Sequence, residues 1–217
     1  MKMDMLKPEE FDAHIDNNTC RIAFIGMSNC GKSFRSKVLQ QELGFQWYHV
    51  DEEIQKALGF KNMDEISSWI GYPSSPGYED REKKYLELEN NFTKEASMQT
   101  DKNLVFDTTG SVAQLDKDTL EILGDNCLII HLDVGENSLQ QMIDRFFREP
   151  KPVAWGDFFS INLGESEETA LRRQYPTLLS ERLKRYRALA HVNISANEMH
   201  DRSGEETLRI IRQRLRV

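Results

Sequence analysis

The sequence predicts an α/β fold in which helices cover both faces of a five-stranded parallel sheet, giving a three-layer sandwich. Short apolar runs of strand length alternate along the chain with segments of helical periodicity. A glycine-containing turn joins the first apolar run to the first helical segment. Because parallel strands need crossover connections, this alternation is typical of a sheet with helices on both faces.

Five segments are predicted to be strands. They are residues 21–25, 45–50, 103–106, 127–133 and 191–195. Helices are predicted between and after them. They include residues 34–43, 52–58, 166–190 and 204–217, the last of which we expect to pack on the domain through one apolar face. In such a sheet, ligands gather at the carboxyl ends of the strands.

Two segments interrupt this alternation. Residues 71–77 are rich in Gly, Pro and Ser, and residues 149 to about 168 begin with two prolines that flank Lys151. Loops of this length inside a compact domain are usually functional or mobile. We therefore predict that the second segment is a lid loop, mobile without nucleotide and ordered with it. The polar residues 1–18, in which Pro8 opens a short helix, are predicted to be an N-terminal extension outside the nucleotide site.

Composition and charge exclude several classes of protein. The chain has 28 Lys and Arg against 36 Asp and Glu, and this net charge of −8 argues against a general nucleic-acid binder. No apolar run approaches the ~18 residues that span a bilayer, and no secretory signal is recognisable. Cys20, Cys30 and Cys127 match neither a disulfide framework nor a zinc site, so we expect free thiols. The sequence therefore predicts a cytoplasmic protein with no nucleic-acid or membrane partner.

The turn after the first strand has the spacing GxxxxGKS, which is that of a phosphate-binding P-loop. Backbone N–H groups of such a loop wrap the phosphates of a nucleotide, Lys32 neutralises the β- and γ-phosphates, and the Ser33 hydroxyl is a Mg²⁺ ligand. The predicted ATP-binding residues are Gly26, Ser28, Asn29, Cys30, Gly31, Lys32, Ser33 and Phe34. An ordinary glycine turn is the alternative, and the strand and helix on either side favour the P-loop. The sandwich is thus predicted to be of the P-loop NTPase type, with residues 19–217 as its domain.

Two carboxylates follow predicted strands. Asp107 ends the third strand, where P-loop proteins place an acid beside the magnesium ion, although an Asp also begins turns well. Asp51 follows the second strand and is either the N-cap of the next helix or a group that faces the acceptor and takes its proton. His49 lies beside it with no partner at a recognisable spacing, and a structural role is the simpler interpretation.

Basic side chains near the lid loop are candidates for closing over the transferred phosphate. A kinase needs mobile cations in addition to the P-loop lysine, because negative charge spreads over the γ-oxygens. Arg145, Arg148 and Lys151 lie where a helix runs into the proline-interrupted loop. The alternative is that these arginines are solvated. We predict Lys32, Asp51, Arg148 and Lys151 as the catalytic residues.

Several segments together resemble the shikimate kinase family of P-loop kinases, from about Arg21 to the C-terminus. Besides the P-loop, they are Val50-Asp51-Glu52-Glu53-Ile54, Gly77 through Arg81, Lys151-Pro152-Val153 and Glu181-Arg182 followed by Tyr186 and Ala190. The resemblance implies that Asp51 and Arg182 bind the acceptor, with Arg81 as a further contact. The family also places three glycines after the third strand to hold its substrate, and of these positions this chain keeps Gly110.

The chain departs from the family pattern at three places. It has Thr108-Thr109-Gly110-Ser111 where the family has its glycine run, Lys84 where a glutamate is expected, and Lys151 in place of the lid arginine. We therefore expect a narrower pocket floor that is richer in hydroxyls, and shikimate as a poor substrate.

Residues and resemblance together predict a kinase that uses ATP and Mg²⁺ to phosphorylate a hydroxyl of a small, anionic metabolite. One alternative is a nucleoside or nucleotide kinase, which needs a base-sized pocket. The other is an ATP-binding regulatory module without transfer activity. The predicted partner is the small-molecule acceptor, and the protein is expected to be a monomer or a small homo-oligomer.

Overall fold

A computed structural model of the chain describes residues 6–149 and 151–215. The strands are β1 (Arg21–Ile25), β2 (Gln46–His49), β3 (Leu104–Asp107), β4 (Leu128–Asp133) and β5 (Val192–Ser195). The helices are α1 (Pro8–Asp16), α2 (Lys32–Leu43), α3 (Val50–Leu58), α4 (Met63–Ile70), α5 (Tyr78–Met98), α6 (Lys117–Asn126), α7 (Leu139–Phe146), α8 (Glu167–Leu189), α9 (Ala196–Met199) and α10 (Gly204–Arg214). The five predicted strands are confirmed to within one or two residues at each end. The predicted C-terminal helix is confirmed as far as Arg214, and its last two residues lie outside the described part of the chain.

All five strands are parallel and follow the order β2-β3-β1-β4-β5. β1 therefore lies in the middle of the sheet, and the P-loop leaves its carboxyl end. The register aligns Asp107 with Phe24 of β1 on one side and with His49 of β2 on the other. This alignment brings the ends of β1, β2 and β3 to one edge of the sheet, so their next residues share a cleft.

Both faces of the sheet are covered, as the alternation of strands and helices predicts. Successive residues of β1 point to opposite faces. Ala23 and Ile25 belong to a core shared with α5 and α8, whereas Ile22 and Phe24 belong to a second core shared with α2 and α10. This double burial explains why the strand is apolar along its whole length.

The first helix packs on the body of the protein. Phe11 of α1 is buried in the second core, and Asp12 pairs with Arg212 of α10 at 2.8 Å. The Asn103 side chain donates to the Ile15 carbonyl and accepts from the Cys20 amide, which joins α1 to the start of the sheet. Residues 8–16 thus form part of the packed structure.

Two helix starts show how local signals compare with the structure. α8 begins as predicted, with the Ser166 side chain accepting a hydrogen bond from the Thr169 amide. Of the two alternatives for Asp51, the N-cap is excluded, because His49 is the N-cap of α3 and Asp51 lies in its first turn. The helix already includes Val50, which is buried. Asp51 therefore lies inside the first turn, near the cleft residues described below.

The described residues between α7 and α8, 147–149 and 151–166, contain one short 3-10 helix, Gly156–Phe158, and are otherwise irregular. Its middle is anchored, since Val153, Ala154 and Trp155 are buried. Further along, Ile161 and Leu163 are exposed. No helix in the described residues combines the length and apolar character that a membrane span requires.

Candidate active site

The P-loop has the backbone geometry that its glycines permit. Gly26 has a φ of +139°, and a Cβ at this position would lie 2.9 Å from the Leu132 carbonyl oxygen. Gly31 has a φ of +100° and is the N-cap of α2, so the free amides at the start of this helix face the loop. Lys32 is 8% exposed, and its ammonium donates to the Gly26 and Met27 carbonyls at 2.9 and 3.0 Å. The lysine charge is thus held within the curve of the loop.

Asp107 lies opposite the P-loop serine and is 2% exposed. Its Oδ2 accepts from Ser33 Oγ at 2.6 Å and lies 3.5 Å from His49 Nε2. Its Oδ1 accepts from the Trp47 indole at 2.5 Å. These partners come from α2 and β2 rather than from the turn that follows Asp107, so the geometry favours a cleft carboxylate over a turn-starting one. A hydroxyl and a carboxylate in contact are the oxygen ligands that Mg²⁺ prefers.

Several ionisable groups of the cleft interact electrostatically with the Asp51 carboxyl. Burial raises its pKa, and Lys32, His49 and Lys151 each oppose that shift, while the neighbouring Asp107 adds to it. The P-loop, β2, β3 and the lid thus all place a charged group near this one carboxyl. The chain positions involved are far apart in sequence, and only the parallel sheet brings them together.

Arg182 of α8 forms the opposite wall. It is 6% exposed, and its Nη2 donates to the Gln114 side chain at 2.8 Å and to the Ala154 carbonyl at 2.7 Å. Its Nε is buried without a hydrogen-bond partner in the described residues. A Cβ on Gly110 would lie 3.3 Å from Ser28 Oγ and 3.6 Å from Arg182 Nη1, so Gly110 sits between the P-loop and this arginine. These positions agree with an acceptor site beside the nucleotide site.

A buried carboxylate lies under the loop that carries Gly110, and the sequence prediction missed it. Glu89 of α5 is 0% exposed, and its two oxygens accept from the hydroxyls of Thr109 and Ser111. Burial raises its pKa to about 7, although the two hydrogen bonds oppose this shift. An acidic residue on the buried face of α5, one turn after Tyr85, was the available signal.

This network corrects the expected pocket floor. The Thr109 and Ser111 hydroxyls are engaged by Glu89, and the Thr108 hydroxyl donates to the Phe24 carbonyl at 3.1 Å. The hydroxyl-bearing residues that replace the glycines therefore stabilise the loop from within. They do not supply the free hydroxyl surface that the sequence led us to expect.

Arg81 lies against the loop 71–77. Its Nε donates to the Ile70 carbonyl at 3.2 Å and its Nη1 to the Pro76 carbonyl at 2.8 Å. Two of its N–H groups are thus occupied by backbone that flanks the site. A contact between Arg81 and the acceptor stays a prediction from the resemblance.

A cavity of about 520 Å³ runs from the P-loop to α8, a size in the usual range for small-molecule sites. Its walls include Ser28, Asn29, Cys30, Gly31, Phe34, Arg145, Lys151 and Arg182. Of the three candidate lid cations, Arg145 and Lys151 line the cavity. Arg148 is exposed and donates to the Asp144 carbonyl at 3.3 Å, so the solvated alternative describes it better. Arg145, three residues earlier, takes the place at the cavity wall.

Comparisons with known proteins agree with this architecture. The family model for shikimate kinase matches residues 28–214. Among solved structures, shikimate kinase from Acinetobacter baumannii in complex with shikimate is 21% identical with a TM-score of 0.62, over 93% of this chain and 94% of that one. Shikimate kinase from Bacteroides thetaiotaomicron is 20% identical with a TM-score of 0.60, over 90% and 97% of the two chains. A comparison with curated proteins gave no match.

The two structural relatives show that the fold is shared, and the family model extends the likeness to most of the sequence. The matched region includes Lys32, Asp51, Asp107 and Arg182. The chain therefore belongs to the shikimate kinase family of ATP-dependent, P-loop small-molecule kinases.

Proposed function

We propose that the protein transfers the γ-phosphoryl group of Mg²⁺-ATP to a hydroxyl of a small anionic acceptor. The observation that carries this proposal is the position of Asp51, a carboxyl with a raised pKa that lies near the P-loop Lys32 and the lid Lys151. A hydroxyl placed against Asp51 would be next to the cations that must neutralise the transferred phosphoryl group.

Ser33 and Asp107 are proposed to hold the magnesium ion. Their oxygens are 2.6 Å apart, and both are hard ligands. Because Mg²⁺ keeps several waters and takes further ligands from phosphates, one hydroxyl and one carboxylate are a sufficient protein contribution. When bound, the ion neutralises charge on the phosphate oxygens. Ser33 and Trp47 fix the orientation of the Asp107 carboxylate, so this side chain would not need to reorient when the ion binds.

On the acceptor side, Asp51 is proposed to orient the reacting hydroxyl and take its proton. A raised pKa suits this role, since it makes the Asp51 carboxylate a stronger proton acceptor than an ordinary aspartate. Arg182 is proposed to bind an anionic group of the acceptor. Its planar guanidinium matches a carboxylate or phosphate, and its two hydrogen-bond partners, the Gln114 side chain and the Ala154 carbonyl, are uncharged.

Shikimate is bound in the structure of the Acinetobacter relative. For this chain we propose a different acceptor, because Thr108 and Thr109 replace glycines and the buried Glu89 binds the Thr109 hydroxyl from beneath. The added side chains narrow the pocket. A compact hydroxy acid or a small phosphorylated alcohol fits this surface.

A screen of ADP release would test the proposal. Purified protein with Mg²⁺-ATP is assayed against hydroxy acids, cyclic polyols including shikimate, nucleosides and nucleotides. Turnover with a small anionic alcohol is the expected result. Turnover with nucleosides alone would favour a nucleoside kinase, and ATP binding without any turnover would favour a regulatory module. Once an acceptor is found, Arg182→Ala should raise its KM at least tenfold with little change in the KM for ATP.

The magnesium assignment has its own test. Asp107→Asn keeps the shape of the side chain and removes the charge, so binding of Mn²⁺-ADP, measured by electron paramagnetic resonance, should weaken about tenfold or more. Asp101→Asn, at an exposed position in the bend that precedes β3, is the control. Equal Mn²⁺ affinity in wild type and Asp107→Asn would remove Asp107 from the metal site.

We also propose that the protein works in a reducing compartment such as the cytoplasm. Cys20, Cys30 and Cys127 are free and buried. Burial raises the pKa of Cys20 and of Cys127 to about 12, which keeps these thiols protonated and unreactive. Titration of the native protein with a thiol reagent should therefore modify them slowly, and fast modification of all three would contradict this arrangement.

A further inference from the structure

The backbone just after Lys151 is held by side chains from two different helices. Val153, Ala154 and Trp155 are buried, although they belong to an irregular segment. Buried irregular backbone needs hydrogen-bond partners outside itself. In this segment, α5 and α8 supply those partners.

Glu82 of α5 is the main acceptor. Its Oε1 accepts from the Trp155 amide at 2.5 Å and from the Gly156 amide at 3.0 Å. The Tyr78 hydroxyl lies 2.6 Å from the same oxygen. Three donors thus converge on one carboxylate oxygen, and hydrogen bonds to a charged acceptor are stronger than those between neutral groups.

Tyr78 extends this contact two residues back along the lid, to Val153. Its hydroxyl also lies 3.0 Å from the Val153 carbonyl and 3.1 Å from the Trp155 amide. The hydroxyl has one proton, so it donates either to Glu82 or to Val153 while accepting from Trp155. Burial raises the pKa of Tyr78, and its hydrogen bond to Glu82 raises it further, so the proton is retained.

The Ala154 carbonyl, which lies between the Val153 and Trp155 contacts, is bound by an arginine of α8. Ala154 accepts from Arg182 Nη2 at 2.7 Å, and Trp155 packs between Phe159 and Tyr175 at ring distances of 5.6 Å each. The same four residues of backbone, 153–156, therefore connect α5 with the proposed acceptor-binding arginine of α8. Lys151, at the cavity wall, lies two residues before them.

We propose that Glu82 is a positioning residue for phosphoryl transfer, acting through the lid backbone on Lys151 and Arg182. Because the backbone of residues 153–156 is fixed, Lys151, two residues before it, is held at the cavity wall. The Ala154 carbonyl at the same time orients the Arg182 guanidinium. This inference rests on the proposed function for its effect on rate, whereas its structural part is independent of any acceptor.

Two measurements on the full-length protein test it. Hydrogen exchange of the protein without ligands reports the Trp155 and Gly156 amides directly. Steady-state rates are then measured for acceptor phosphorylation, or for ATP hydrolysis if no acceptor is known, together with ATP affinity by calorimetry. The variants are Glu82→Ala, Glu82→Gln and Tyr78→Phe, and the control is Glu87→Gln, an exposed position on the same helix.

In Glu82→Ala we expect exchange of the two amides to rise at least tenfold and kcat to fall about tenfold. The dissociation constant for ATP should stay within twofold, because the P-loop is untouched. Glu82→Gln retains an acceptor oxygen and should recover most of kcat, and Tyr78→Phe should speed exchange at Trp155 and lower kcat about threefold. Glu87→Gln should match the wild type in both measurements.

Unchanged exchange at Trp155 and Gly156 in Glu82→Ala would overturn the proposal. So would a loss of ATP affinity in proportion to the loss of rate, which indicates general destabilisation. If Glu82→Ala fails to fold, unchanged exchange at Trp155 in Tyr78→Phe is the decisive negative result. A wild type that transfers phosphate to no acceptor refutes the proposed function alone, since exchange and ATP hydrolysis still report on Glu82.

Discussion

Glu89→Gln is expected to remove a large pH dependence from the stability of the protein. Glu89 is fully buried, and its pKa is raised from 4.5 to about 7 in the folded state, chiefly by burial. Because the folded pKa lies above the unfolded one, the stabilising contribution of the protonated carboxyl is complete below about pH 4.5. It is lost as the pH rises through about 7.

The magnitude follows from this difference in pKa. A rise from 4.5 to about 7 corresponds to roughly 3 kcal/mol, at about 1.4 kcal/mol for each pH unit. The glutamine side chain of the variant cannot ionise and resembles the protonated glutamic acid in shape. The variant and the wild type should therefore have similar free energies of unfolding at about pH 4.5 to 5. At about pH 8 the variant should be more stable by roughly 3 kcal/mol.

Urea unfolding at pH 5, 6, 7 and 8, followed by circular dichroism, measures the effect. Asp51 also has a raised pKa and adds to the shift of Glu89; it is present in both proteins, so the difference between them reports Glu89 together with its interaction with Asp51. Glu87→Gln, at an exposed position on the same helix, should give a difference from the wild type that does not vary with pH. A constant difference between wild type and Glu89→Gln from pH 5 to pH 8 would refute the reasoning.

Three further predictions concern the nucleotide site and the lid. Lys32→Ala should reduce ATP turnover to background and cost about 1–2 kcal/mol of stability in thermal melts, because two buried hydrogen bonds are lost; normal turnover would contradict the P-loop assignment. Gly26→Ala should destabilise the protein by about 1–3 kcal/mol and weaken ATP binding, because φ at this position is +139° and the added Cβ would collide with the Leu132 carbonyl. The control is Gly124→Ala in α6, where a Cβ meets open space and the change should be neutral or stabilising. Hydrogen exchange should show residues 160–165 becoming protected when a nucleotide analogue and acceptor are added, with 153–156 already protected without them; equal protection of 160–165 in both states would exclude closure of the lid.

The sequence by itself determined the strands, the P-loop and the order of the elements. These features depend on residues that are neighbours in the chain. A buried parallel strand must be apolar on both faces, and a loop that wraps phosphate must place glycines at fixed intervals. Both requirements leave a pattern within a few residues, such as 21–25 followed by Gly26 and Gly31. The family resemblance rests on the same kind of local signal.

Only the tertiary structure decided which side chains meet. Trp47 binds Asp107 across 60 positions of sequence, and this contact leaves no local pattern. The same holds for Glu89 beneath Thr109. The sequence offered both Arg145 and Arg148 as lid cations, and the structure places Arg145 at the cavity wall. Such contacts arise because the sheet register and the helix packing fix positions that are distant in the chain, and hydrogen bonds between them form only once both elements are in place.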